Sequence, residues 1–414
     1  MGRVRVLKCR SCHANLNHCF LDLGVTPPSN AFINSDDFLL DEKRFPLRVF
    51  VCDYCWLAQT EDFVRPDELF NADYSYFSGF SSTWLNHCHS LVEKIVEDFP
   101  ITSTDKIFEV ASNDGTLLDI FNSLGFQCLG VEPTHTAAQV SRKKGLLVIE
   151  EFIGLDSAKK ISETHGKAQV LIANNVLAHV PDINDFMRGC LELLDDTGIA
   201  SFEFQSLFKL MEESLFDTIY HEHFSYLSFT AAFNIFLSLG LTIIDVEEVD
   251  THGGSLRVFA QHSDSGVNKT KKSVIRMLNF EEKNGLKSLN FYRGLQEKAN
   301  DCRKNFLNFL HERKNEGLVV IAYGAAAKGN TLLNFSSIDE KLIKYVVDRN
   351  IEKQGKYLPG SKLLVVSENR ITEDKPDYVV ILPWNISSEI SEQLAYVEEW
   401  GGKLVTAVPQ LKIL

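Results

Sequence analysis

The stretch KIFEVASNDGTLL, Lys106–Leu118, decides the fold. An apolar run reaches Glu109 and Val110, a short turn carries Ser112, Asn113, Asp114 and Gly115, and apolar residues at helical spacing follow. The spacing predicts a strand that feeds a turn and then a helix. Outward from it, between about residues 105 and 245, the strand-like runs QCLGVE, LLVIE, AQVLIANN and GIASFEF alternate with helical patterns. Alternation of this kind is expected of a doubly wound α/β domain, a parallel sheet with helices on both faces.

The turn after the first strand and the acid after the second point to a ligand. Gly115 lets backbone approach a bound molecule closely, and Glu132, ending the strand in CLGVEPT, is placed to accept both hydroxyls of a ribose. A single Gly in the turn leaves no diphosphate-binding G-x-G-x-x-G, so adenosine without a diphosphate is favoured over a nicotinamide dinucleotide. Asn174 and Asn175, ending VLIANN, offer amides to an amino acid moiety or to adenine, and Glu151 and Phe152 lie where they would border the adenine ring.

Two C-x-x-C pairs, Cys9 with Cys12 and Cys52 with Cys55, supply four thiolates for a tetrahedral zinc ion. With every position taken by sulfur no site is left for water, so the metal is expected to hold the fold and to take no part in chemistry. His13, His18 and Cys19 rank below the paired cysteines as ligands. After the central domain, residues 266–316 read as long amphipathic helices broken near Gly285, and GLVVIAYGAAAKGNTLLNF, LIKYVVDRN and DYVVILPWN begin a second α/β unit. The expected division is a zinc module at 1–70, a central domain at 71–260 and a C-terminal unit at 261–414.

With 414 residues, 44% of them hydrophobic and 24% charged, the chain has the profile of a globular protein of two or three domains. A net charge of −14 without a long basic cluster argues against nucleic acid, and neither a membrane span nor a signal peptide is read. A cytoplasmic location is the matching expectation, with the cysteines reduced.

Tyr220, His221, Glu222 and His223, followed by Phe224, Ser225 and Tyr226, gather polar groups into one run. A histidine of near-neutral pKa suits a general base. The H-E-H triplet lacks the i, i+4 spacing of a helical metal site, so a catalytic metal is not expected there.

EVASNDG, GVEPT, ANNVLAHV and YHEHFSYLS, behind the double C-x-x-C, resemble the C-methyltransferases of deoxysugar biosynthesis over nearly the whole chain. The resemblance implies a class I S-adenosylmethionine-dependent methyltransferase domain between an N-terminal zinc-binding module and a C-terminal Rossmann-like domain. It also implies a nucleotide-linked 4-ketosugar, TDP- or GDP-linked, as substrate, with methylation at C3. By the same resemblance His223 is the base. Tyr220 and His179 lie near the ketone or its enolate, and Glu222 orients or bonds the sugar. Glu109, Ser112, Asn113, Asp114, Gly115, Glu132, Phe152, Asn174 and Asn175 surround the cofactor.

Tyr74 and Tyr76, in DYSYFSG, would close the site. His221 and the GGSLRVF segment with His252 and Arg257 would wall the sugar pocket, Lys328 and Asn330 would meet the diphosphate, and Asp348 and Arg349 would meet the nucleoside. A monomer or small oligomer is expected. The sequence departs from the family at Ala111, where glycine is usual. With negative φ the methyl is tolerated, whereas with positive φ it is strained, which would favour a catalytically silent relative that binds nucleotide sugar or a partner protein.

Overall fold

The computed structural model describes residues 7–64 and 82–414, so Tyr74 and Tyr76 lie outside the described residues. The N-terminal strands are β1 (His18–Thr26), β2 (Phe45–Val51) and β3 (Ala58–Thr60), paired antiparallel in sequence order. Leu47, Val49 and Val51 alternate inward along β2, the period of a half-buried strand. A module of this size buries too little surface to close a core alone. Its inner face instead joins Leu21, Leu23 and Val49 to Phe306, Val320 and Val346 of the C-terminal region in one continuous core.

The central domain holds β4 (Lys106–Val110), β5 (Gln127–Val131), β6 (Leu147–Ile149), β7 (Ala168–Asn174), β8 (Leu194–Gln205), β9 (Ser225–Tyr226), β10 (Leu241–Val249) and β11 (Ser255–His262). Seven of them form one sheet in the order β6-β5-β4-β7-β8-β11-β10, parallel from β6 to β8, with β11 antiparallel to both neighbours. Both faces are covered: Phe108 and Leu171 enter one core, Ile107 and Val170 the other. This explains why β7 reads as an apolar run without alternation. The expected doubly wound sheet is therefore present. The strand order reverses direction at β4, which has β5 on one side and β7 on the other, and ligands of such sheets bind at the carboxyl ends beside that point.

β9 does not join this sheet. It extends the N-terminal one, with Ala58 opposite Tyr226 and Gln59 opposite Ser225. The zinc module is thus hydrogen-bonded into the central domain. The helix Lys272–Lys283 follows β11, and its buried Glu281 accepts the Phe229 and Thr230 amides at the start of the helix Phe229–Ser238, which ties the segment after β11 to the central domain. The helix Leu295–Asn315 leads into a second sheet of β12 (Val320–Tyr323), β13 (Val346–Val347), β14 (Val365–Val366), β15 (Tyr378–Ile381), β16 (Lys403–Thr406) and β17 (Lys412–Ile413), in the order β14-β13-β12-β15-β16-β17. It too is parallel except at β17 and reverses direction at its first strand, β12.

One buried ion pair ties the far half of the central sheet to the helix Ser82–Asp98. Glu203, fully buried in β8, accepts from Arg257 Nη2 at 2.9 Å and from Thr251 Oγ1 at 2.8 Å, and pairs with His87 Nε2 at 2.7 Å. Burial alone would raise its pKa, but His87 and Arg257 outweigh that and hold it near about 2. Arg257, expected to face the sugar, is buried here, and its remaining nitrogen binds Glu247 at 2.9 Å. Removing one partner of such a pair strands the other charge in low dielectric. Arg257→Met is expected to lower the unfolding free energy by about 3–5 kcal/mol in urea denaturation, and a loss under about 1 kcal/mol would contradict this reading.

Candidate active site

The four paired cysteines meet. Cys9 Sγ lies 3.5 Å from Cys55 Sγ, and Cys12 Sγ lies 3.5 Å from Cys52 Sγ. All four sulfurs fall within 4.8 Å of one another, the only such group among the described residues, and His13, His18 and Cys19 stay outside it. Four thiolates at about 2.3 Å from one zinc ion sit about 3.8 Å apart, so the donor set fits the metal. Two similar knuckles build it. The His13 amide donates to the Cys9 carbonyl and the Trp56 amide to the Cys52 carbonyl, and His13 and Trp56 both take left-handed φ, 62° and 64°. Gln59 Nε2 donates to Cys9 Sγ at 3.2 Å, stabilising the thiolate from a second layer.

At the carboxyl end of β4, Ala111, Asn113 and Gly115 all have positive φ, 57°, 49° and 73°. A Cβ on Gly115 would overlap Ser141 and Leu146, so both its φ and its surroundings require glycine. Glu132 braces the turn, with Oε2 accepting from the Asn113 amide at 2.9 Å and Oε1 from the Thr134 amide at 2.9 Å and from the Thr134 hydroxyl. Glu109, Asp114 and Glu132 are all buried. Burial, and then the charges of Asp114 and Glu132, push Glu109 well above the usual carboxylate range. A cluster of acids in low dielectric calls for a cationic ligand. Glu109 Oε2, Ser112 Oγ and both amide atoms of Asn174 are buried with no hydrogen-bond partner among the described residues. An adenosyl sulfonium carrying an α-amino group fits those demands. Asn175 also has positive φ, 54°, and Phe152 is 46% exposed at the end of the β6 loop.

The polar run folds between the sheets. His223 Nδ1 lies 2.9 Å from the Thr218 carbonyl, which can only accept, so the proton sits on Nδ1 and the lone pair on Nε2. Nε2 in turn accepts from the Tyr220 hydroxyl at 2.7 Å. His179 Nδ1 likewise donates to the Glu222 carbonyl at 2.8 Å, and its ring meets that of His223 edge to face at 4.6 Å between centroids. Burial pushes His179 down to about 4, and burial followed by the charge of His179 pushes His223 well below its usual value. Both imidazoles are therefore neutral at pH 7.

The other expected residues divide. Glu222 is buried, accepts from the Asn30 amide at 2.9 Å and keeps Oε2 without a partner among the described residues. His221 is turned to the zinc module, with Nε2 donating to the Pro46 carbonyl at 3.3 Å and its ring against Phe45. Lys328 is half-buried, with Nζ donating to Asn385 Oδ1 at 2.8 Å and lying 4.8 Å from the Trp384 ring centre, and desolvation lowers its pKa to about 8. Asn330 donates to the Ser29 carbonyl at 3.3 Å, which packs it on the N-terminal module. The Asp348 carboxylate is taken up by the Ala325 and Asn350 amides, each at 2.8 Å, and Arg349 pairs with Glu368 at 2.9 Å.

The pattern of residue types missed Asp217 and Trp384. Trp384 Nε1 donates to the buried Asp217 Oδ2 at 2.7 Å, and the indole presses on Gly253 where a side chain would clash. The C-terminal domain thereby covers the His252 turn. His252, at φ 55°, is pushed down to about 4 by burial and then by the charge of Lys328.

A class I methyltransferase sheet with a closed four-cysteine zinc site and a hydrogen-bonded tyrosine–histidine pair defines the class. Family models agree along the chain: a putative zinc binding domain at 9–70, a methyltransferase domain at 85–246 and a C-methyltransferase C-terminal domain at 250–409. The chain is 31% identical to C-methyltransferase NovU of Streptomyces niveus over 407 residues, covering 98% of this chain and 96% of that one. It belongs to that C-methyltransferase family, an S-adenosylmethionine-dependent enzyme with a structural zinc ion. A shorter match, 25% identical over 97 residues, covers 23% of this chain and 37% of the ubiquinone biosynthesis O-methyltransferase of Rhodopseudomonas palustris. The magnesium protoporphyrin IX methyltransferase of Synechocystis superposes with a TM-score of 0.34 at 14% identity, over 43% of this chain and 79% of that one.

The strain at Ala111 is real, because φ is 57°, and it sits in a turn that Glu132 holds through the Asn113 amide. It is a local cost, not a collapsed site. Ala111→Gly is expected to raise the unfolding free energy by about 0.5–1 kcal/mol in denaturant melts, and an unchanged or lower value would show that the turn carries no strain.

Proposed function

We propose that the enzyme methylates C3, the carbon alpha to the 4-keto group, of a TDP- or GDP-linked deoxyketosugar through an enolate. The observation that carries this reading is the neutral His223, whose Nε2 lone pair faces the Tyr220 hydroxyl at 2.7 Å. Tyr220 and His223 satisfy each other. A ketone entering between them takes the Tyr220 O–H on its oxygen and leaves Nε2 facing the acidified carbon.

His223 accepts the C3 proton, the C–H electron pair moves to the carbonyl oxygen, and Tyr220 stabilises the enolate by hydrogen bonding. The cofactor, which Glu109, Ser112 and Asn174 would hold, would supply an electrophilic methyl to the enolate carbon and leave as its demethylated thioether. The imidazolium then returns its proton to solvent. Thr218 keeps the tautomer correct throughout, since its carbonyl holds the Nδ1 proton. His179 and Glu222 border the same cluster. Glu222 Oε2 has no partner among the described residues and suits a sugar hydroxyl. Lys328, from the C-terminal domain, is proposed to meet the diphosphate, whose charge would restore the ammonium that burial disfavours. The relative's name, a C-methyltransferase, supports carbon as the acceptor atom.

Incubation with methyl-labelled S-adenosylmethionine and a panel of TDP-, GDP-, UDP- and CDP-linked 4-ketosugars tests the proposal by carbon NMR. A labelled methyl bonded to C3 is expected; label on oxygen, or on no member of the panel, would sink it. The pH profile carries a second expectation. A base whose pKa is lowered stays neutral as pH falls below 6.5, so the acid limb of kcat/KM lies well below that value. The Lys328 ammonium is lost as pH rises through about 8, so kcat/KM falls above it. Lys328→Met should remove the basic limb, and an acid limb at or above 6.5 would contradict His223 as the base.

A further inference from the structure

Four consecutive residues of the polar run, 221–224, are bonded to three segments of the zinc module. His221 donates to the Pro46 carbonyl, and Glu222 accepts from the Asn30 amide. The His223 carbonyl accepts from Thr60 Oγ1 at 2.9 Å, and the Phe224 carbonyl accepts from the Thr60 amide at 3.1 Å. Thr60 is also joined to the metal site. Its neighbour Gln59 donates to Cys9 Sγ at 3.2 Å and accepts from the Arg10 amide at 2.9 Å. Arg10 lies between two zinc ligands, and its guanidinium bonds the Thr60 carbonyl at 2.9 Å and the Pro181 carbonyl at 2.8 Å while covering the Phe224 ring.

We infer that Thr60 is a positioning residue for His223, the last link of a chain from the Cys9 thiolate through Gln59 to the backbone of the base. The inference rests on the reading of His223 as the base. Further constraints on His223 come from its own loop, where its amide bonds the Tyr220 carbonyl and its Nδ1 the Thr218 carbonyl, and from the central domain, where the His179 ring packs on it and the Phe224 amide donates to the Ala178 carbonyl at 2.6 Å, on the amide side of the peptide whose oxygen side Thr60 holds. The bonds within the loop shape it but do not place it in the molecule. Thr60, together with the β3–β9 pairing and the Ala178 bond, fixes where Nε2 stands relative to the cofactor turn. A base displaced by a fraction of an ångström loses rate while ligand binding on other elements is unaffected.

The pair Thr60→Val and Thr60→Ser tests this. Valine keeps the β-branched shape of the strand residue and removes the hydroxyl; serine keeps the hydroxyl. Thr60→Val is expected to lower kcat by on the order of 10- to 100-fold. Its S-adenosylmethionine affinity by calorimetry should stay within about twofold, because the cofactor groups lie on β4, β5 and β7. Thr60→Ser should recover most of kcat. In hydrogen exchange of the same proteins, amides 219–226 should lose protection in Thr60→Val while amides 107–111 keep it. Wild-type kcat in Thr60→Val overturns the inference, as does no recovery in Thr60→Ser. His223→Ala in the same assay separates the two claims: if it retains activity the base reading fails, whereas if it is inactive and Thr60→Val is normal only the positioning role fails.

Discussion

Ser225 and Tyr226 pair with Gln59 and Ala58, so two residues of the central domain complete a sheet whose other strands belong to the zinc module. That exchange has large consequences for so short a strand. The run from Tyr220 to Phe224 ends on β9 and is therefore drawn against the N-terminal module, whose far face shares a core with the C-terminal sheet. From the other side Thr331 Oγ1 donates to the Ile219 carbonyl at 2.9 Å. The run proposed to be catalytic is thus held on both flanks, by the N-terminal sheet and by the C-terminal domain through Ile219.

Burial then sets the chemistry. A histidine in water is divided between two tautomers and is partly protonated near neutrality. Here the Thr218 carbonyl selects one tautomer and the apolar surroundings remove the charge, leaving a lone pair directed at Tyr220. The same low dielectric makes the acids around the cofactor turn receptive to a cation and lowers the pKa of Lys328 until an anion is near. Under the proposed mechanism, burial thus prepares His223 to take a proton, the acids of the β4 turn to receive a cationic cofactor and Lys328 to receive an anionic substrate.

The parts legible in the sequence are those whose signal is local. The four cysteines announce themselves by spacing, the β4 turn by a Gly after an apolar run, and the polar run by its composition. The double C-x-x-C could be read because a knuckle is built from consecutive residues. Contacts across long sequence separation left no such trace: Thr60 with His223, Trp384 with Asp217, and Arg257 with Glu203. Arg257 was expected to wall the sugar pocket with the rest of GGSLRVF, yet β11 runs antiparallel to β8 and sets it opposite Glu203. Ala111 shows the limit from the other direction. Its sign of φ belongs to the folded turn, and only the structure reveals it as left-handed.

The central claim is that neutral His223 takes a proton from carbon, a step that requires no methyl transfer. Incubation of the enzyme with a TDP-linked 4-ketosugar in deuterium oxide, without S-adenosylmethionine, isolates it. The account predicts deuterium at C3 by mass spectrometry and NMR with the wild-type enzyme and its loss, to the uncatalysed rate, in His223→Gln. Exchange by the variant at the wild-type rate would contradict it.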